Sequence, residues 1–149
     1  MKRTIFIIAL ILICAPLMPQ DSVTFINALG EKETATYGDA VTIFIYVANK
    51  TPRGFSQDVG VLRDAGISSG MEYTADRPLR RGIVARMVAR HMNLKGSLMY
   101  MIFGTERYAY TACVEGGVMD PNGSEWDVLS GEELIEVISR MTNVLGGDQ

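Results

Sequence analysis

Three helix-start signatures recur along the chain, and they limit the folds open to it more than anything else in the sequence. They are Thr36-Tyr37-Gly38-Asp39, Arg80-Arg81-Gly82-Ile83 and Ser130-Gly131-Glu132-Glu133, with first residues 44 and then 50 positions apart. Self-similarity at such a period marks one supersecondary unit used several times. Thr36 and Ser130 can accept a hydrogen bond from the N–H three residues on, while Asp39 and Glu133 reach back to the cap residue's own N–H. This is the reciprocal capping box, and an acid there also suits the positive end of the helix dipole. The middle copy departs from the rule, because arginine cannot cap; Pro78 upstream instead discourages helix before the start point.

The residues after each signature also correspond. Four positions on stand Ala40, Val84 and Leu134; seven on, Ile43, Met87 and Val137; eight on, Phe44, Val88 and Ile138. Apolar residues at these offsets form one stripe of a 3.6-residue helix. The spacing predicts helices over Tyr37–Ala48, Arg81–Asn93 and Gly131–Asn143, although Val41 to Val47 is β-branched and aromatic and by propensity favours a strand. Two further helices are expected, Ser56–Asp64 and Thr105–Glu115, each followed by a glycine and an apolar residue: Gly66-Ile67 and Gly117-Val118. Superposing those two stops sets Leu62 on Cys113. Residues 23–33 read as a linker or short strand, and Ser97 to Phe103 as a short apolar helix inserted between units.

The first residues read as an export signal. Lys2 and Arg3 make a basic start and Ile5 to Ile13 an unbroken apolar run, too short to cross a bilayer as a stable helix. Residues 1–22 are assigned to this signal peptide and 23–149 to a single domain. Cys14 ends the run where a lipid-modified cysteine would, but Ile13 before it is not small. No clean small-x-small site adjoins the run; Ala28-Leu29-Gly30 has the right residue sizes but lies well downstream. Without Lys2 and Arg3 the chain carries 12 basic and 17 acidic residues, a net of −5, which argues against nucleic acid as a partner. No second apolar run is long enough to span a membrane.

The glycine stop, the loop and the helix opening on a Thr-Arg-Ala-Glu-like box together resemble the S-layer homology (SLH) module. The best stretch runs from Asp58-Val59 through Leu62, Gly66-Ile67 and Pro78-Leu79-Arg80-Arg81-Gly82 to Ala85 and Ala89; a second runs from Tyr108 to Met141. The resemblance implies an all-α fold, a small helical bundle of helix-loop-helix repeats packed as a pseudo-threefold cluster. It also implies a non-enzymatic envelope protein that binds an anionic cell-wall glycan. Only Arg81 matches the arginine that does much of this work in the family; Tyr37 and Gly131 stand at the equivalent places. The family's usual aromatic pair near the start of each module's first helix is missing. Five module helices are read here where a full array has six.

The charge pattern points to the same part of the chain. Arg77, Arg80, Arg81, Arg86, Arg90 and Lys95 fall in one stretch, and no acid lies between Asp76 and Glu106. Arg80, Arg81, Arg86 and Arg90 are the candidate ligand-binding residues. Guanidinium pairs bidentately with carboxylate or phosphate, and free N–H groups at the helix start would add to the grip. The competing reading gives these arginines ion pairs to Glu132, Glu133 and Glu136. A rival function places Leu98, Met101 and Phe103 on an apolar patch that docks another envelope protein. His91 is expected to be partly buried and Cys113 to be a small core residue. No metal-ligand spacing, phosphate loop or dinucleotide fingerprint is present, so no cofactor and no catalytic residue is assigned.

Overall fold

A computed structural model describes residues 20–68, 73–94 and 104–147 of the chain. They form an all-α bundle of six helices: α1 (Gln20–Gly30), α2 (Tyr37–Val47), α3 (Phe55–Asp64), α4 (Arg81–His91), α5 (Glu106–Glu115) and α6 (Gly131–Gly147). The three signature helices begin where the sequence places them. Both boxes close: Thr36 Oγ1 accepts from Asp39 N at 3.3 Å while Thr36 N donates to Asp39 Oδ2 at 2.9 Å. Ser130 Oγ accepts from Glu133 N at 3.1 Å while Ser130 N donates to Glu133 Oε2 at 2.8 Å. Arg80 makes no side-chain cap. All nine stripe residues are buried, and burial of that stripe overrides the strand propensity of Val41 to Val47.

α1 corrects the expectation of a linker or strand over 23–33. It also crosses the expected domain start at residue 23, and it brings the helices to six where five were read. It lacks the left-handed glycine stop followed by an apolar residue that marks its counterparts α3 and α5, so the repeat pattern did not reveal it. α6 runs on to Gly147, past the expected end at Asn143, and its residues beyond Met141 are all exposed. The Ser97 to Phe103 segment, and with it the docking residues Leu98, Met101 and Phe103, lies outside the described residues.

The six helices make three units, α1–α2, α3–α4 and α5–α6, and these close in a ring. α2 packs on α3, α4 on α5, and α6 returns to α1. At the centre three backbone hydrogen bonds form a cycle. Leu79 N donates to Ala35 O, Leu129 N to Leu79 O and Ala35 N to Leu129 O, each at 2.9 Å. The three residues immediately precede the three cap positions, and all are buried. The cycle gives each unit's connecting loop the same place relative to the other two.

The same plan resolves the orphan N–H groups that every helix start leaves. Tyr37 N and Gly38 N donate to Arg77 O and Ala75 O in the loop of the second unit. Arg81 N and Gly82 N donate to Asp127 O and Glu125 O in the loop of the third, and Gly131 N donates to Lys32 O in the loop of the first. Glycine is what permits this approach at the third start, where a Cβ on Gly131 would overlap the Leu29 carbonyl. The glycine stops behave as read: Gly66 and Gly117 have φ of 74° and 71°, and Ile67 N and Val118 N donate to Leu62 O and Cys113 O. α2 and α4 end the same way on Asn49 and Asn93, with φ of 55° and 50°.

Candidate functional site

The start of α4 is where the repeat pattern breaks and where arginine concentrates. Its N–H groups do not point outward as expected: those of Arg81 and Gly82 are taken by the third unit's loop. Any anion here is therefore met by side chains. The structure also divides the four candidate arginines. Arg80 and Arg86 line one open cavity, Arg81 lines a different one, and Arg90 in the last turn of α4 is not among the lining residues of either.

The first cavity, about 760 Å³, lies between α4, the start of α5 and the loop before α6. Its wall carries Arg77, Arg80, Arg86 and Arg107 against Glu106 and Glu125, so it is locally positive on a chain whose net charge is −3. Trp126 stands at its edge, 63% exposed. The Arg80 guanidinium lies over the indole at 4.7 Å from the ring centroid and pairs with Glu106 at 3.4 Å. Arg77 lies likewise over the Tyr73 ring at 4.3 Å, and Tyr73 Oη donates to Glu106 Oε1 at 3.3 Å. Burial, then the neighbouring Glu106, raises the Tyr73 pKa, so this phenol stays protonated.

The loop that carries Trp126 is braced by its own hydrogen bonds. Ser124 N donates to Asp127 Oδ2 at 2.8 Å, Asp127 N to Ser124 O at 3.1 Å, and Trp126 N to Ser124 Oγ at 3.3 Å. Gly82 lets the loop and α5 come this close, because a Cβ there would meet Glu106 Cβ at 2.7 Å and Glu125 O at 3.0 Å. An exposed indole fixed beside guanidinium groups can take an apolar or C–H-rich ring face and an acidic substituent together.

The second cavity, about 210 Å³, lies across the same loop and has the opposite balance. Arg81 and Arg140 stand with Asp120, Glu133 and Glu136 over Val118, Met119, Leu129 and Val137. Arg81 is spent internally. One terminal nitrogen donates to Glu133 Oε1 at 2.7 Å and the other to Asn122 O at 3.4 Å, and its side chain is only 16% exposed. Burial opposes its charge, but the bonds to Glu133 and Tyr110 outweigh that and hold its pKa above the ordinary value. Glu133 is held below the usual carboxylate range, first by the N–H of Ser130 and then by Arg81. Of the three acids read as possible arginine partners, Glu133 takes Arg81, while Glu136 pairs with Arg140 of its own helix.

The remaining candidates are structural. His91 packs edge-on against Phe44 at 6.0 Å, and burial lowers its pKa. Cys113 is fully buried; its Sγ donates to Ala85 O at 3.4 Å, and burial pushes the thiol up to about 12, so it is not a thiolate near neutral pH. Among the described residues no group of His, Cys, Asp or Glu is placed to hold a metal ion, and no helix is long and apolar enough to cross a membrane.

Sequence reading missed Trp126, Arg77 and Arg107 as parts of one site. The available signal was a lone tryptophan in a polar loop five residues before a helix. What was not visible is that the ring carries this loop to the start of α4. No family model matches the chain, and searches of curated proteins and of solved structures return no match.

Proposed function

We propose that this is an exported, non-enzymatic protein that binds an anionic cell-wall or surface polymer in the Trp126 cavity, on a degenerate SLH-like scaffold. The observation that carries the reading is the exposed indole of Trp126 under the Arg80 guanidinium, at the edge of a cavity with four arginines against two carboxylates. A sugar ring stacks on the free indole surface, and the arginines take a carboxylate or phosphate that it carries. At about 760 Å³ the cavity falls in the size range of small-ligand clefts. Its openness to solvent suits one or two residues of a longer chain.

Export is read from the basic start and apolar run at residues 2–13; lipidation at Cys14 would be one form of it. The cyclic assembly of three helix-loop-helix units supports the SLH-like scaffold. Of the four candidate arginines, Arg80 and Arg86 contact polymer, joined by Arg77 and Arg107 from outside that set, whereas Arg81 serves as the brace to Glu133.

Co-sedimentation with purified cell-wall sacculi tests the reading. Binding should fall with added salt, and fall at least tenfold for Trp126→Ala and for Arg80→Ala, while Arg81→Ala should act mainly through stability. Undiminished pelleting of Trp126→Ala would remove the cavity from the account. If sacculi fail to pellet the wild type while Leu98→Asp abolishes capture of an envelope protein, the docking function through Leu98, Met101 and Phe103 replaces this one.

A further inference from the structure

We infer that the working protein keeps α1 whole, so that any removal of the export segment cuts no later than Gln20 and the small-x-small site Ala28-Leu29-Gly30 is not used. This rests on the export reading above. Cleavage at that site, between Gly30 and Glu31, would discard the whole of α1, and α1 is the element through which the ring closes.

Leu29 is 1% exposed and belongs to the same core as Ala35, Leu134 and Ile138, with Phe25 and Ile26 packed against it. Its carbonyl accepts from Lys32 N at 3.0 Å, and Lys32 O in turn accepts from Gly131 N at 2.9 Å, the N–H at the start of α6. Gly131 has no side chain where Leu29 passes. Phe25 also meets the Tyr46 ring of α2 at 5.7 Å. α1 therefore packs chiefly on the last signature helix, α6, and touches α2 through that ring pair. A signal peptidase meets its substrate before folding, so burial in the finished bundle does not protect the site. The constraint is that a chain cut at Gly30 would lack α1 and leave the apolar face of α6 that it covers open to solvent.

The test has two parts. The full-length precursor is expressed in a bacterium, the extracytoplasmic fraction is isolated, and the N-terminus of the folded protein is read by intact mass and sequencing. A start at residue 20 or earlier is expected; a folded species beginning at Glu31 would overturn the inference. In parallel, purified chains beginning at Gln20 and at Glu31 are melted by circular dichroism. The Gln20 chain should unfold cooperatively and the Glu31 chain should lose its cooperative transition. An equally cooperative melt of the Glu31 chain at an unchanged midpoint would also overturn it. Recovery of the uncut precursor in the cytoplasm alone would defeat the export reading, and the melts would still decide whether the fold needs α1.

Discussion

The starts of α6 and α4 occupy equivalent places in the ring yet solve different problems. At α6 the Ser130/Glu133 box closes the helix, and Glu133 has capacity left to anchor Arg81. At α4 the cap position holds Arg80 and the third position Ile83, so no box forms, and only the neighbouring loop's carbonyls, which serve all three starts, cap the backbone. What α4 gives up in capping it gains in a cation held over Trp126. The copy that departs from the structural rule of the repeat is the copy that carries the candidate site, as expected when function displaces local optimisation.

Substitutions can break or sharpen this contrast. The largest effect is expected at the α6 start. Gly131→Ala drives a methyl into the Leu29 carbonyl, and because backbone cannot step aside cheaply it should cost about 3 kcal/mol or more in urea unfolding. Gly38→Ala, where the nearest atom is Ala75 O at 3.0 Å, should cost roughly 1 kcal/mol. Equal losses at the two positions would mean that the α1–α6 closure is no tighter than the rest of the ring.

Trp126→Ala comes next. It should weaken polymer binding by about tenfold or more, near 1.4 kcal/mol, with the unfolding midpoint almost unmoved because the side chain is mostly exposed. A large drop in stability with affinity unchanged would make Trp126 a structural residue. The paired cap exchange is sharper. Ser130→Ala should lose about 1 kcal/mol of stability, whereas Arg80→Ser gives α4 the cap it lacks and should hold stability within roughly 0.5 kcal/mol while affinity falls. Should Arg80→Ser bind as well as wild type, the exchange of capping for binding would be refuted.

The smallest effect is a pH dependence confined to α6. Glu133 has a lowered folded pKa, so its contribution is complete above its unfolded value and is lost as pH falls through the folded one. The difference in melting temperature between wild type and Glu133→Gln should therefore be constant near neutrality and shrink below about pH 4. A difference that persists at pH 2 would show that the carboxylate's charge is not what matters.

The fold was legible where one residue's chemistry fixes local geometry. Thr36, Ser130, Gly66 and Gly117 announced helix ends, and the stripe offsets named the buried faces. α1 was not legible, because its place is set by contacts to α6 rather than by a glycine stop of its own. The site was half legible. The arginine run marked the right helix start, but Arg80 is the cap, with extended backbone, and Arg81 the first helical residue, so the two side chains leave in different directions and meet different neighbours. Which neighbour each would meet depended on the loop at 120–127, delivered from some 40 residues away.

The ring has a kinetic consequence. Two of its three seams join helices that are near in sequence, whereas the third joins residue 29 to residue 131. The first two can form as soon as their helices exist. The last must wait for α6 and carries the largest loop-closure entropy. A polypeptide that has not yet made α6 thus remains open, with α1 lacking its main partner.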